Sequence, residues 1–196
     1  MGTNKGQKFP PEPLTRDEVV ALMDACSRRA PTGKRDRALV CILWRGQLRI
    51  SEALALKRSD FDPKACTLRI LNGKGGKSRV VVIDQQAADV LTGWLECRDK
   101  LGLNGHKPIF CSLQGQPLAT SQFRMKIKRL AKKAGIEKRV HAHGLRHSGA
   151  SELADEGISL VDIQHQLGHA SAATTNTYLH QINPVARAEQ LRKRTW

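Results

Sequence analysis

The chain has 196 residues, 40% hydrophobic and 26% charged, the balance of a soluble globular protein with one main core. Its 33 lysines and arginines against 18 acidic residues leave a formal charge of +15, which points to a polyanionic partner. Aromatics are only 4%, too few for the stacking platforms that hold single-stranded nucleic acid, and Tyr178 is the single tyrosine. No apolar run reaches the ~20 residues of a membrane span. Met1 to Lys8 is too polar for a secretory signal. A cytoplasmic protein is expected. Cys26, Cys41, Cys66, Cys97 and Cys111 form no CxxC pair and are expected as buried thiols.

Residues 1–13 read as a tail that closes on Pro10, Pro11 and Pro13. Thr15-Arg16-Asp17-Glu18 has the shape of a capping box, and Val19, Leu22, Met23 and Cys26 follow at helical spacing, which predicts a helix over 15–30. A second helix is predicted from about Arg35 to Trp44, and a short one from near Ser51. Cys66 to Leu71 and Arg79 to Ile83 read as strands around the turn 72–78, hence a hairpin. Helix returns over 85–100, with Val90, Leu91, Trp94 and Leu95 inward. It returns again over 121–134, where Phe123, Ile127, Leu130, Ala131 and Ala134 share a face. Shorter helices are predicted near 145–156, 159–167 and 171–179, with a tail helix from about Pro184. The fold class is mainly α with a small antiparallel β-sheet (α+β).

Gly73-Lys74-Gly75-Gly76-Lys77-Ser78 invites a phosphate-loop reading. The required earlier glycine is absent, because position 71 is Leu, and a strand follows where a helix is needed. A basic hairpin tip is the better reading. Arg49 opens a helix inside apolar sequence, which is costly without a partner. It either pairs simply with Glu52, one turn on, or is aimed at a phosphate with Glu52 holding it. His143/His147 and His165/His169 are i, i+4 pairs, but neither has the carboxylate or thiolate companions of a zinc site. Arg146 lies one helical turn after His143, so an imidazole and a guanidinium share a face. That pair suits a phosphate, the guanidinium binding two oxygens and the imidazole moving a proton. Tyr178 sits among Thr174, Thr175, Asn176 and Thr177, as either an ordinary surface tyrosine or a functional one.

Together these pieces resemble the catalytic domain of the tyrosine recombinases (the phage integrase family), from about Leu14 to Asn183. The motifs fall in order: Arg49 before a Ser-Glu pair, Lys74 between glycines in a hairpin, His143-Gly144-Leu145-Arg146-His147, Leu167-Gly168-His169, and Tyr178 nine residues later. One place departs from the pattern. The family usually has a glycine two positions before the first arginine; here Gln47 stands there, next to Gly46.

The resemblance implies a site-specific recombinase or integrase, of the kind carried by mobile elements, that cleaves and rejoins duplex DNA through a 3′-phosphotyrosyl intermediate, without metal, ATP or other cofactor. Arg49 and Arg146 would clamp the phosphate. Tyr178 would attack phosphorus, with His143 as base, Lys74 as general acid and His169 as a phosphate donor; Glu52 and His147 would support. Lys77, Arg79, Arg124, Lys128, Lys132 and Lys133 are expected on DNA, within a basic segment that also holds Lys126, Arg129, Lys138 and Arg139. If ~6 phosphates are neutralised, the log–log slope of affinity against salt is about −5. The expected organisation is a flexible tail over 1–13, a catalytic domain over 14–183, and a tail helix over 184–196 exchanged between protomers in a tetrameric synapse on DNA. Either a naturally minimal enzyme, like the fimbrial phase-variation inverting enzymes, or a catalytic fragment fits this length. Rival readings are a type IB topoisomerase, a non-catalytic DNA-binding protein on the same scaffold, and a metal hydrolase built on the histidines.

Overall fold

The computed structural model describes residues 13–71, 78–105 and 107–168. The tail before Pro13, the hairpin tip and the helices expected near 171–179 and from Pro184 lie outside those residues.

Helix α1 (Arg16–Asp24) starts as its capping box dictates. Glu18 N donates to Thr15 Oγ1 at 3.2 Å, and Thr15 N donates to Glu18 Oε2 at 2.7 Å. The helix ends at Asp24, six residues before the predicted end. Helix α2 (Pro31–Arg45) begins earlier than its apolar pattern suggested. Pro31 explains the earlier start: it suits the first turn of a helix, and Ala30 before it is extended at ψ 134°.

Helix α2 is the centre of the core, with Ala38, Leu39, Val40, Ile42 and Leu43 fully buried. It ends at Gly46 and leads into the short α3 (Ile50–Ala55). Three antiparallel strands follow in spatial order β1 (Phe61–Asp62), β2 (Thr67–Ile70), β3 (Arg79–Val82). The β2–β3 hairpin is the predicted one, paired Thr67 with Val82 and Ile70 with Arg79. Strand β1 was not predicted; two residues are too few to show alternation. Leu68, Ile70 and Val81 face the core, while Val80 and Val82 are exposed on the edge strand.

Asp84 caps α4 (Gln85–Lys100), which lays Leu91, Trp94 and Leu95 on α2. Helix α5 (Thr120–Lys133) buries Phe123, Ile127, Leu130 and Ala131, the face its spacing predicted. Helices α6 (Ala142–Asp155) and α7 (Leu160–Leu167) close the described fold. Helix α6 starts three residues earlier than predicted, because His141 caps it: its Nδ1 accepts from Gly144 N at 3.0 Å. At Gly149, α6 lies directly on the backbone of α2, where a Cβ would sit 1.9 Å from Trp44 O.

All five cysteines are free thiols, but only Cys26, Cys41 and Cys111 are buried; Cys66 and Cys97 are half-buried. Burial pushes the Cys26 thiol up to about 11 and the Cys41 thiol up to about 12, so neither is a nucleophile at neutral pH. Among the described residues, no helix is long and apolar enough to cross a membrane.

Candidate active site

Three arginines, from the start of α3, from α6 and from β3, converge on one carboxylate. Arg49 is the last extended residue before α3, and Glu52 reaches back one turn to it. Glu52 Oε2 accepts from Arg49 N at 2.9 Å, and Oε1 accepts from Arg49 NH1 at 2.7 Å. The ion pair is therefore real, yet the Arg49 side chain keeps 27% of its surface exposed while Glu52 keeps 4%. Pairing with Glu52 and presentation toward a ligand coexist in one side chain.

Arg146, on α6, is almost fully buried. NH1 donates to Gln47 O at 2.6 Å and NH2 to Leu167 O at 2.7 Å. Its NH1 also lies 4.0 Å from Glu52 Oε2. The guanidinium thus ties the α2–α3 junction and the end of α7 to α6. Burial, and then the like charge of Arg49, bring its pKa down to about 9, partly offset by Glu52. It stays a cation at neutral pH.

Arg79, the first residue of β3, completes the cluster. NH1 and NH2 grip Glu52 Oε1 and Oε2 at 3.0 and 2.8 Å, and Nε donates to Gln166 O at 3.2 Å. It was expected on the DNA surface, but only 12% of its side chain is exposed. Burial alone would push the Glu52 carboxyl up. The hydrogen bonds from Arg79 and from the Arg49 amide outweigh it and hold the carboxyl at about 2. Three guanidiniums around one carboxylate leave the site net positive, which suits a phosphodiester in a transition state.

His143 lies in the first turn of α6, three residues before Arg146. Its ring backs edge-on against the buried His147, with centroids 4.1 Å apart, and leaves one side in solvent. Burial of the inner side, then the charges of Arg146, His141 and Arg49, hold its pKa below 6.5. It is a neutral imidazole at pH 7, able to accept a proton. His147 lies edge-on behind it as a support.

Gln47 accounts for the glycine usual at its place. It has φ 45°, in the left-handed region, and turns its carbonyl onto Arg146. Glycine adopts that conformation without strain; Gln47 does so with its side chain buried and Nε2 donating to Trp44 O at 2.9 Å.

The basic segment divides. Arg124, Lys128, Arg129, Lys132 and Arg139 are exposed. Lys126 pairs with Asp36 at 3.2 Å and Lys138 with Glu18 at 3.0 Å. Lys133, also expected on DNA, is exposed like them, but donates its ammonium to Ala25 O at 2.7 Å, at the end of α1. Lys74, Lys77, His169 and Tyr178 lie outside the described residues. Among the described residues, no group of three or more His, Cys, Asp or Glu side chains could hold a metal ion. Sequence reasoning missed the carbonyls of Gln47 and Leu167, which carry no side-chain signature. It also missed the place of Arg79, for which a cation opening an apolar strand was the available signal.

A family model described as the phage integrase family matches residues 12–183. Tyrosine recombinase XerD of Halalkalibacterium halodurans is 36% identical over 178 residues, covering 90% of this chain and 59% of that protein. Tyrosine recombinase XerC of Chlamydia muridarum is 36% identical over 180 residues, covering 90% of this chain and 57% of that one. This chain thus spans somewhat over half the length of those relatives. Among solved structures, XerA recombinase superposes with a TM-score of 0.83 at 32% identity, covering 97% of this chain and 68% of that one. XerH site-specific recombinase, bound to its palindromic difH substrate in a post-cleavage complex, gives a TM-score of 0.76 at 28% identity, covering 97% and 55%.

Proposed function

Because this chain belongs to the phage integrase family, we propose that it is the catalytic unit of a tyrosine site-specific recombinase that cleaves and rejoins duplex DNA. The observation that carries the reading is the convergence of Arg49 and Arg146 on Glu52, from segments 97 residues apart in sequence, with His143 one helical turn before Arg146 and under the charge of both guanidiniums.

Arg49 and Arg146 bind the non-bridging oxygens of the scissile phosphate. Tyr178 attacks phosphorus; free tyrosine has a pKa near ~10, so it needs a base, and the neutral His143 serves as one. The 5′ oxygen departs with a proton from Lys74, and His169 donates to the phosphate. The 3′-phosphotyrosyl link conserves the bond energy of the phosphodiester. A 5′ hydroxyl from a partner strand then reverses the attack, with no need for ATP or a metal ion. Residues 14–183 form this unit, between a tail over 1–13 and a segment over 184–196 exchanged between protomers. The DNA-bound XerH structures support double-stranded DNA as the substrate. Lambda integrase solved as a dimer on its core site supports the fold alone, at 23% identity; assembly with other protomers, as a tetrameric synapse, is part of this proposal.

The test is a covalent adduct. Nicked suicide duplexes, selected from a random-sequence library for adduct formation, are incubated with the protein and resolved on a denaturing gel. A shifted, protease-sensitive band that disappears in Tyr178→Phe and survives EDTA is expected. A band that persists in Tyr178→Phe rejects the nucleophile, and loss in EDTA returns a metal mechanism. Relaxation of supercoiled plasmid without any partner site favours a topoisomerase instead.

A further inference from the structure

The structure assigns Arg79 as a positioning residue, one that locks the root of the β2–β3 hairpin to Glu52 and to the end of α7; the assignment rests on the recombinase reading above. Three observations carry it. Both terminal guanidinium nitrogens of Arg79 donate to Glu52, at 3.0 and 2.8 Å, and its Nε donates to Gln166 O, at 3.2 Å. Gln166 returns the contact: its side-chain amide donates to Val82 O at 2.6 Å and accepts from Val82 N at 3.2 Å, filling the open edge of β3 as a neighbouring strand would. Finally, Gly168 lies directly against the Arg79 side chain. A Cβ there would sit 2.8 Å from Cδ, Nε and Cζ, and the glycine holds the left-handed φ of 60° that ends α7.

This clamp is placed between catalytic elements. Arg79 follows the hairpin residues 72–77, which include Lys74, and His169 follows Gly168 directly in sequence. On its other side Arg79 occupies both oxygens of the carboxylate that orients Arg49. One side chain therefore joins three segments that supply phosphate-binding or proton-donating groups. The assigned role runs through Glu52, Gln166 and Gly168, against which the Arg79 side chain lies. Lysine cannot replace it fully, because a single ammonium cannot match a bidentate fork plus a third donor.

The test compares wild type, Arg79→Met, Arg79→Lys, Gln166→Leu and Lys74→Ala in the full chain. Cleavage is measured on the selected suicide duplex and on the same duplex with a 5′-bridging phosphorothioate, whose thiolate departs without a proton. Binding is measured on the intact duplex across a KCl series. Expected for Arg79→Met is a ~100-fold slower cleavage, the scale of misplaced catalytic groups. Affinity and salt slope should match wild type, and most of the lost rate should return on the thio substrate, as in Lys74→Ala. Arg79→Lys should fall between, and Gln166→Leu should show a weaker loss in the same direction.

Amide exchange supplies a readout independent of activity: residues 79–83 and 166–168 should exchange faster in Arg79→Met, with the core helices unchanged. A salt slope smaller by ~0.9 in Arg79→Met makes it a phosphate contact and overturns the assignment. So does wild-type cleavage, or exchange unchanged at both segments. If wild type itself forms no adduct, the recombinase reading fails, and with it any catalytic role for Arg79; the exchange arm then still decides whether the clamp exists.

Discussion

Replacing Gly149 with alanine tests whether α6 stands at its distance from α2 because it has no side chain there. The new Cβ would lie 1.9 Å from Trp44 O, 3.0 Å from Trp44 C and 2.8 Å from Gln47 Nε2. The obstructing carbonyl belongs to the backbone of α2 and has no rotamer to retreat to. A normal separation of about 3.2 Å requires about 1.3 Å of helix displacement. The same helix carries Arg146, whose bonds to Gln47 O and Leu167 O are 2.6 and 2.7 Å. Moved that far along either bond, the contact opens to about 4 Å and is lost.

Overpacking costs about 1–3 kcal/mol, and each hydrogen bond from a charged group contributes about 1.5–3 kcal/mol. With one such bond lost, the expected destabilisation is about 2.5–6 kcal/mol. At about 2–4 °C per kcal/mol for a chain of this size, Tm falls by roughly 10 °C. Gly93 is the control. It lies inside α4 with nothing within 4 Å of its Cβ position, so alanine there should stabilise by about 0.5–1 kcal/mol. Urea unfolding followed by circular dichroism measures both variants. A Gly149→Ala midpoint at or above wild type, or a shift matching Gly93→Ala, refutes the close-approach reasoning.

Gln47→Gly should raise the urea midpoint, through about 1 kcal/mol of added stability: a side chain in the left-handed region costs about 1–2 kcal/mol, and the deleted amide has a buried Oε1 without a hydrogen-bond partner. A lower midpoint would show that the Nε2 bond to Trp44 O outweighs the strain. Glu52 links stability to acid. Its folded pKa of about 2 lies below its ordinary 4.5, so the stability it contributes is complete above about pH 4.5 and is lost as pH falls toward 2. Glu52→Gln should be less stable than wild type at pH 7 by a few kcal/mol, with the gap closing below pH 4; a gap constant with pH rejects the linkage. For His143, whose pKa is held below 6.5, the acid limb of the cleavage rate should lie below pH 6.5 and vanish in His143→Gln. An unchanged limb in that variant assigns the titration to another group.

Much of the frame was legible because local signals agree with the tertiary result. The capping box at Thr15, the helical stripe of α5 and the hairpin around the Gly-Lys turn all depend on neighbours within a few residues. Pro31 shows where that legibility stopped. The helix that it opens begins four residues before the apolar pattern does at Arg35, on residues 31–34 that carry no periodic signal. The basic segment shows a second limit. Charge count placed Lys126, Lys133 and Lys138 with their exposed neighbours, but whether a lysine faces solvent or meets Asp36, Ala25 O or Glu18 depends on what packs opposite.

By itself, the sequence determined the charge, the mainly helical class and the order of Arg49, Lys74, His143, Arg146, His169 and Tyr178, because residue types and spacings are its own content. Only the tertiary structure decided that Arg79 turns inward to Glu52, and that Arg146 is aimed by the carbonyls of Gln47 and Leu167. Backbone acceptors look alike at every position in a sequence. Which of them meets a guanidinium is settled only when α2, α6 and α7 pack together.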